Sequence, residues 1–182
     1  MPDRPRTAAR KGATRRPQIA VIGPGDATDD LARDAERLGQ LLVDAGYRVV
    51  CGGLGGAMAA VARGAHASAR ATGSDVVGLL PTLDAETANP WIDVVVPTGL
   101  SQGRNLLVVA SADVVIALGG ASGTLSELAL AWQLGKPIVA LTTHAGWAAE
   151  FAGRPVDGRR PDVVHGADSP ESAVSVVTSL LR

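Results

Sequence analysis

Short, largely apolar runs that do not alternate recur along this chain at residues 18–22, 47–51, 75–80, 92–96, 113–118 and 137–141, and glycine or proline follows almost every one. Strands with water on one face alternate apolar and polar residues, whereas continuous runs mark strands buried on both faces of a parallel sheet. The segments between them have helical spacing. Leu31, Ala35, Leu38, Leu41 and Leu42 repeat on one face from Thr28, a helix cap, to Gly46. Met58, Val61 and Ala65 form a second stripe, and Leu125, Leu128, Ala129 and Trp132 a third. Strand and helix thus alternate, which predicts an α/β fold: a Rossmann-like, doubly wound parallel sheet in three α/β/α layers, as a single domain. Ser101 is expected to cap a helix running to about Ala112, and Ser169 with Pro170 a terminal helix to Leu181. Residues 82–91 read as loop, 142–161 give no clear period, and 162–165 suggest a short last strand.

The 182 residues carry a net charge of −1 that hides an asymmetry. Residues 1–16 hold six basic side chains against Asp3, so the remainder has 11 basic and 17 acidic residues. The leader 1–16 is read as disordered and residues 17–182 as the domain. An acidic body with only 3 % aromatic residues argues against nucleic acid as the partner. One cysteine, Cys51, excludes an internal disulfide, and the three histidines lie apart, so no metal site and no cofactor are expected. No apolar stretch is long enough for a membrane span or signal core, which predicts a soluble cytoplasmic protein.

In a doubly wound sheet, ligands bind beyond the carboxyl ends of the strands. Four turns fall there: 23–25, 52–56, 97–104 and 119–124. Gly52, Gly53, Gly55 and Gly56 form one glycine turn. Gly119, Gly120, Ser122, Gly123 and Thr124 form another, opening directly into a helix whose free N–H groups and positive dipole end suit a phosphate. Neither turn has the dinucleotide fingerprint or the lysine of a P-loop. Arg104, near a helix start, is an unfavourable cation there unless an anion compensates it. Ser101 adds a hydroxyl at the same turn. Glu127 has two readings: a ligand-facing carboxylate, or the partner of Thr124 in a capping box, Thr124-Leu125-Ser126-Glu127. Cys51 reads as core, Trp132 as core or a subunit contact, and Lys136 as a helix-end cation.

Three of these motifs, Gly52-Gly53-Leu54-Gly55-Gly56-Ala57-Met58, Gly103-Arg104-Asn105 and Gly119-Gly120-Ala121-Ser122-Gly123-Thr124-Leu125-Ser126-Glu127, resemble the Lonely Guy (LOG) family. These are cytokinin-activating phosphoribohydrolases within the superfamily that also includes the DNA-processing protein DprA. Arg104, Gly120, Gly123, Thr124 and Glu127 match the LOG pattern position for position. Gly119 stands where LOG proteins carry proline, Ala121 where they carry a second glycine, and Asn105 where they carry lysine. Those departures look like a sister branch that includes molybdenum cofactor carrier proteins.

The resemblance implies cleavage of the N-glycosidic bond of a nucleoside 5′-monophosphate. Glu127, kept ionised by Arg104 and the helix dipole, would be the catalytic carboxylate, and Arg104 its positioning cation. The alternative is a non-catalytic binder of a phosphorylated ligand such as the molybdenum cofactor, and the third reading a DprA-like nucleic-acid module. The resemblance also implies a homo-oligomer, a dimer or larger. Relatives are often labelled lysine decarboxylases, but the only lysines are Lys11 and Lys136, and neither supports that chemistry.

Overall fold

A computed structural model describes residues 15–182. Seven strands, β1 (Gln18–Ile22), β2 (Arg48–Cys51), β3 (Val76–Leu80), β4 (Val94–Pro97), β5 (Val114–Leu118), β6 (Ile138–Leu141) and β7 (His165–Ala167), form one sheet. Its order is β4-β3-β2-β1-β5-β6-β7, and every pairing is parallel. Five helices lie between strands, α1 (Asp29–Asp44), α2 (Ala57–His66), α3 (Arg104–Ser111), α4 (Ser122–Gln133) and α5 (Trp147–Phe151), and a sixth, α6 (Pro170–Leu180), follows β7.

The strands are apolar throughout because both faces are covered. Ile19 and Val21 point into a core shared with α1, α2 and α6. Their neighbours Ala20 and Ile22 point into a second core shared with α3 and α4, where Ala148 of α5 is also buried. This is the three-layer α/β/α domain that the alternating pattern predicts. Small residues let the layers close. Helices α1 and α2 approach backbone to backbone, and a Cβ on Gly64 would lie 1.7 Å from the Glu36 carbonyl oxygen. Strand β4 departs from the rule: it is an edge strand, and Val94 and Val96 are exposed.

Local signals hold at several ends. Thr28 Oγ1 accepts from the Leu31 amide, and Ser169 caps α6 in a capping box with Ser172. Elsewhere the structure corrects the sequence reading. Ser101 does not cap α3: it sits in the left-handed region at φ 49° and opens a 3-10 turn, Ser101–Gly103, that delivers the chain to Arg104. The stretch without clear period contains α5, and the last strand lies at 165–167 rather than 162–165. Lys136 binds the carbonyls of Ala110 (3.1 Å) and Ala112 (2.6 Å), closing the end of α3 rather than of its own helix. Trp132 is core: its Nε1 donates to Asp157 at 2.8 Å and the Arg160 guanidinium lies 4.3 Å above the ring. Residues 1–14 of the expected leader lie outside the described residues, whereas Arg15 and Arg16 bind Asp113 and Asp75 at the start of the sheet.

Candidate functional site

Strand order reverses between β1 and β5, so the turns after those two strands run apart over opposite faces of the sheet. A crevice opens at such a switch point. Here it is a cavity of about 470 Å³ whose floor is the end of β1, Val21 and Ile22. Residues 23–26 after β1 form one wall, and Gly52, Leu54 and Met58 after β2 a second. Gln102, Arg104 and Asn105 come from the turn into α3, and Ala121, Gly123, Thr124 and Glu127 from the start of α4.

The first two walls interlock. Gly56, at φ 58°, lies so close to the first turn that a Cβ there would sit 2.3 Å from the Gly25 carbonyl oxygen. The Ala57 amide donates to the Pro24 carbonyl at 3.0 Å. In the last wall Gly120, at φ 93°, makes room for Thr124, whose Oγ1 would be 2.2 Å from a Cβ on Gly120. Helix α4 then begins at Ser122, with Ala121 as its cap and no side-chain bond to its first amides. An uncapped start of a 12-residue helix at the cavity wall presents N–H donors and a positive dipole end.

That start excludes the capping box. Glu127 is the sixth residue of α4, too far along to satisfy its first N–H groups. Its side chain, 8 % exposed, lines the cavity instead, with Arg104 Nη1 3.4 Å from Oε1. Burial pushes the Glu127 carboxyl up from 4.5 to about 7, against the smaller downward pull of the Arg104 charge. Against the expectation that Arg104 and the dipole keep Glu127 ionised, burial outweighs the cation here and favours the protonated form more than in a free carboxyl.

Arg104 is held by a closer partner, Asn105, whose Oδ1 accepts from Nη1 at 2.7 Å. The guanidinium lies over Gly52, where a Cβ would be 2.4 Å from Nη2. Its Nε is buried and finds no acceptor among the described residues. A buried cation whose remaining donor capacity faces no protein acceptor is a place for an anion.

Of the sequence candidates, the structure brings Gly52, Arg104, Gly123, Thr124 and Glu127 to the cavity wall. Gly53, Gly55, Gly56, Gly119, Gly120 and Ser122 shape the turns behind that wall without lining it, and Ser101 stays outside. Asp26, Gln102 and Asn105 line the cavity and were not singled out as ligand contacts. Asn105 was visible as the residue replacing the LOG lysine, whereas Asp26 and Gln102 sit in turns with no motif of their own. Cys51 is buried and its thiol is pushed up to about 11 by burial, so it is inert core. His66 pairs with Asp93 and His144 with Asp34, both away from the cavity.

The parallel sheet, its switch-point cavity and the uncapped helix start beside it define a Rossmann-like domain. The chain belongs to the SLOG cluster4 family, which matches residues 16–174. Its fold is similar to the molybdenum cofactor binding protein from the phototrophic bacterium Rippkaea orientalis, with a TM-score of 0.82 and 33 % identity over 93 % of this chain and 100 % of that one. The molybdenum cofactor carrier protein of Chlamydomonas reinhardtii is similar at a TM-score of 0.77 and 29 % identity, over 91 % of this chain and 99 % of that one. DNA processing protein A from Helicobacter pylori has a TM-score of 0.63 at 19 % identity, over 90 % of this chain and 80 % of that one, a likeness of fold alone.

Proposed function

We propose that this chain binds a phosphorylated small molecule of the molybdenum cofactor class and holds it without transforming it. The observation that carries this reading is Arg104, a buried cation on the cavity wall with an unanswered Nε, opposite the uncapped start of α4. A phosphate beside them would take the helix N–H groups and offset the guanidinium's charge. Similarity to cofactor carriers along more than nine-tenths of the chain supports the same class of ligand. A cytoplasmic location is part of the proposal, and among the described residues no helix is long and apolar enough to cross a membrane.

A second reading, phosphoribohydrolase action on a nucleoside 5′-monophosphate, is favoured by one observation: burial pushes the Glu127 carboxyl up to about 7 in a cavity that Asp26 also lines. One carboxyl group to protonate the leaving base and another to stabilise the sugar cation is the usual glycosidase pairing. One experiment separates the two. Protein purified without added ligand is analysed by mass spectrometry for what it retains, then incubated with a panel of nucleoside monophosphates while ribose 5-phosphate is assayed. A retained phosphorylated heterocycle, recovered unchanged, with no product above a Glu127→Ala control, supports the carrier. Product formation that vanishes in Glu127→Ala overturns it in favour of the hydrolase.

Self-association into a dimer or larger homo-oligomer also belongs to the proposal. Leu100, Leu106 and Leu107 are exposed around the start of α3, and Val94 and Val96 on edge strand β4. Large apolar side chains in such number are what a second copy would cover. Light scattering of the full chain is expected to give a multiple of the 18.5 kDa protomer, and Leu106→Glu with Leu107→Glu to shift it toward monomer.

A further inference from the structure

The large cavity is lined by glycine, aliphatic and polar residues, and no aromatic side chain lines it. A flat heterocycle placed there would have nothing to stack on. The turn from Gly119 into α4 also borders a second cavity of about 320 Å³, formed by Gly120, Gly146, Trp147 and Glu150. The two cavities share that loop as a wall, one lined by Ala121 and Gly123, the other by Gly120.

The backbone at Trp147 is tied to the turn before α4. Its amide donates to the Gly120 carbonyl at 3.2 Å, and the Ala148 amide to the Gly119 carbonyl at 3.0 Å. Gly146, at φ 134°, lies so close that a Cβ there would be 2.6 Å from the Gly119 carbonyl carbon. The preceding residues are tied to α1, with His144 Nε2 and Thr143 Oγ1 both at Asp34 Oδ2, 2.8 and 3.2 Å away. Phe151, one turn later, supports the indole with ring centroids 6.0 Å apart. Yet Trp147 remains 40 % exposed. The other tryptophans do not compete for this role: Trp132 is core, and Trp91 packs edge-on against His66.

We infer that this second cavity is the subsite for the ring end of the ligand, with Trp147 as stacking platform and Glu150 as the selector of its edge. The inference rests on the phosphate-binding reading of the neighbouring cavity. Stacking is indifferent to which heterocycle is bound, so selectivity falls to Glu150, which lines the same cavity. An ionised carboxylate only accepts hydrogen bonds. It therefore favours a ring whose edge presents an amino group and an adjacent ring N–H together, as guanine and pterins do. An adenine edge sets an acceptor nitrogen beside its amino group and is disfavoured. The ligand class is thus a phosphorylated 2-amino-4-oxo heterocycle, its phosphate at α4 and Arg104 and its ring over the loop at Trp147.

The test is calorimetric titration of the full chain with GMP, AMP and ribose 5-phosphate. Wild type is expected to bind GMP at least about tenfold more tightly than ribose 5-phosphate, the scale of one aromatic stack. Trp147→Ala should remove that advantage while leaving ribose 5-phosphate within about twofold, and Trp147→Phe should keep most of it. Glu150→Ala should bring GMP down to the level of AMP. The subsite is overturned if Trp147→Ala leaves the GMP to ribose 5-phosphate ratio unchanged, which would put the ring in the larger cavity. It is equally overturned if all three probes weaken together, the signature of a structural role. Binding of ribose 5-phosphate with an unchanged ratio removes only the subsite, whereas no binding of any probe to wild type removes the phosphate site as well.

Discussion

The two ends of the sheet place buried carboxylates in opposite conditions. At the N-terminal end Asp75 lies before β3, its side chain 1 % exposed. Its oxygens accept from the Thr72 amide and hydroxyl and pair with Arg16. Burial would raise the Asp75 carboxyl, but the Thr72 amide and Arg16 outweigh it and hold it below its ordinary value. The neighbouring Asp93 accepts from the Asp75 and Val76 amides, and Asp113 from the Gln18 amide. Arg16 spends its remaining donors on the Gly46 and Tyr47 carbonyls. At the C-terminal end Glu127 has one long contact with Arg104, its carboxyl is raised to about 7, and Arg104 keeps an unanswered Nε. One end is closed on itself and serves stability. The other leaves polar capacity open, as a ligand site does.

The largest expected consequence is a stability profile of opposite sign at the two ends. Glu127 is raised in the fold, so the folded state holds its proton longer than the unfolded chain. Stability then falls as pH rises from about 4.5 to about 7 and is flat above, a loss on the order of 3 kcal/mol. Asp75 is lowered, so its contribution is present above its ordinary value of 3.8 and is lost as pH falls through its folded value. Denaturant unfolding of wild type and Glu127→Gln at successive pH values isolates the first effect, because every other group titrates in both. The difference between them should open between pH 4.5 and 7, with Glu127→Gln the more stable above. A constant difference would mean that Arg104 keeps Glu127 ionised after all.

Next comes Arg104→Met, which keeps the apolar stem and removes the charge. Phosphate or ribose 5-phosphate binding should weaken roughly 100-fold, the scale of a buried charge-assisted contact. The matching change at the closed end, Arg16→Ala, should leave that affinity untouched and cost about 2 kcal/mol of stability, since it strands Asp75 and two carbonyls. If Arg104→Met costs stability without altering binding, the two ends are alike and the site reading fails.

This contrast was partly legible in the sequence. Apolar runs and glycine pairs are local signals, so the sheet and the two glycine turns could be read directly. Arg104 and Glu127 stood out because their motifs keep fixed spacing. The capping-box reading of Glu127 fails because α4 begins at Ser122, directly after the positive φ of Gly119 and Gly120, so Thr124 is already inside the helix and cannot be its cap. The start of α3 was misread because Gly99 and Ser101 take positive φ in the same way. The short helix α5 has no period to detect, for its position is set by bonds to the Gly119 and Gly120 carbonyls, contacts between residues far apart in sequence. Asp26 and Gln102 owe their place in the cavity to strand order, which no local pattern encodes.

The smallest change sharpens the comparison most, because it alters no charge. Gly52 has an ordinary backbone conformation, so alanine there is not strained by φ. Its methyl would nevertheless stand 2.4 Å from Arg104 Nη2 and 2.6 Å from Cζ. The guanidinium must then shift, and its bond to Asn105 and contact with Glu127 give it little room. Gly52→Ala is expected to weaken phosphate binding about tenfold while changing stability by less than about 1 kcal/mol. It should also move the Glu127 titration upward, since the cation that lowers it has been pushed away. A stable Gly52→Ala protein with unchanged affinity and titration would show that the placement of Arg104 over Gly52 is packing alone. Weakened binding with an upward titration would show that this glycine positions the cation on which the open end depends.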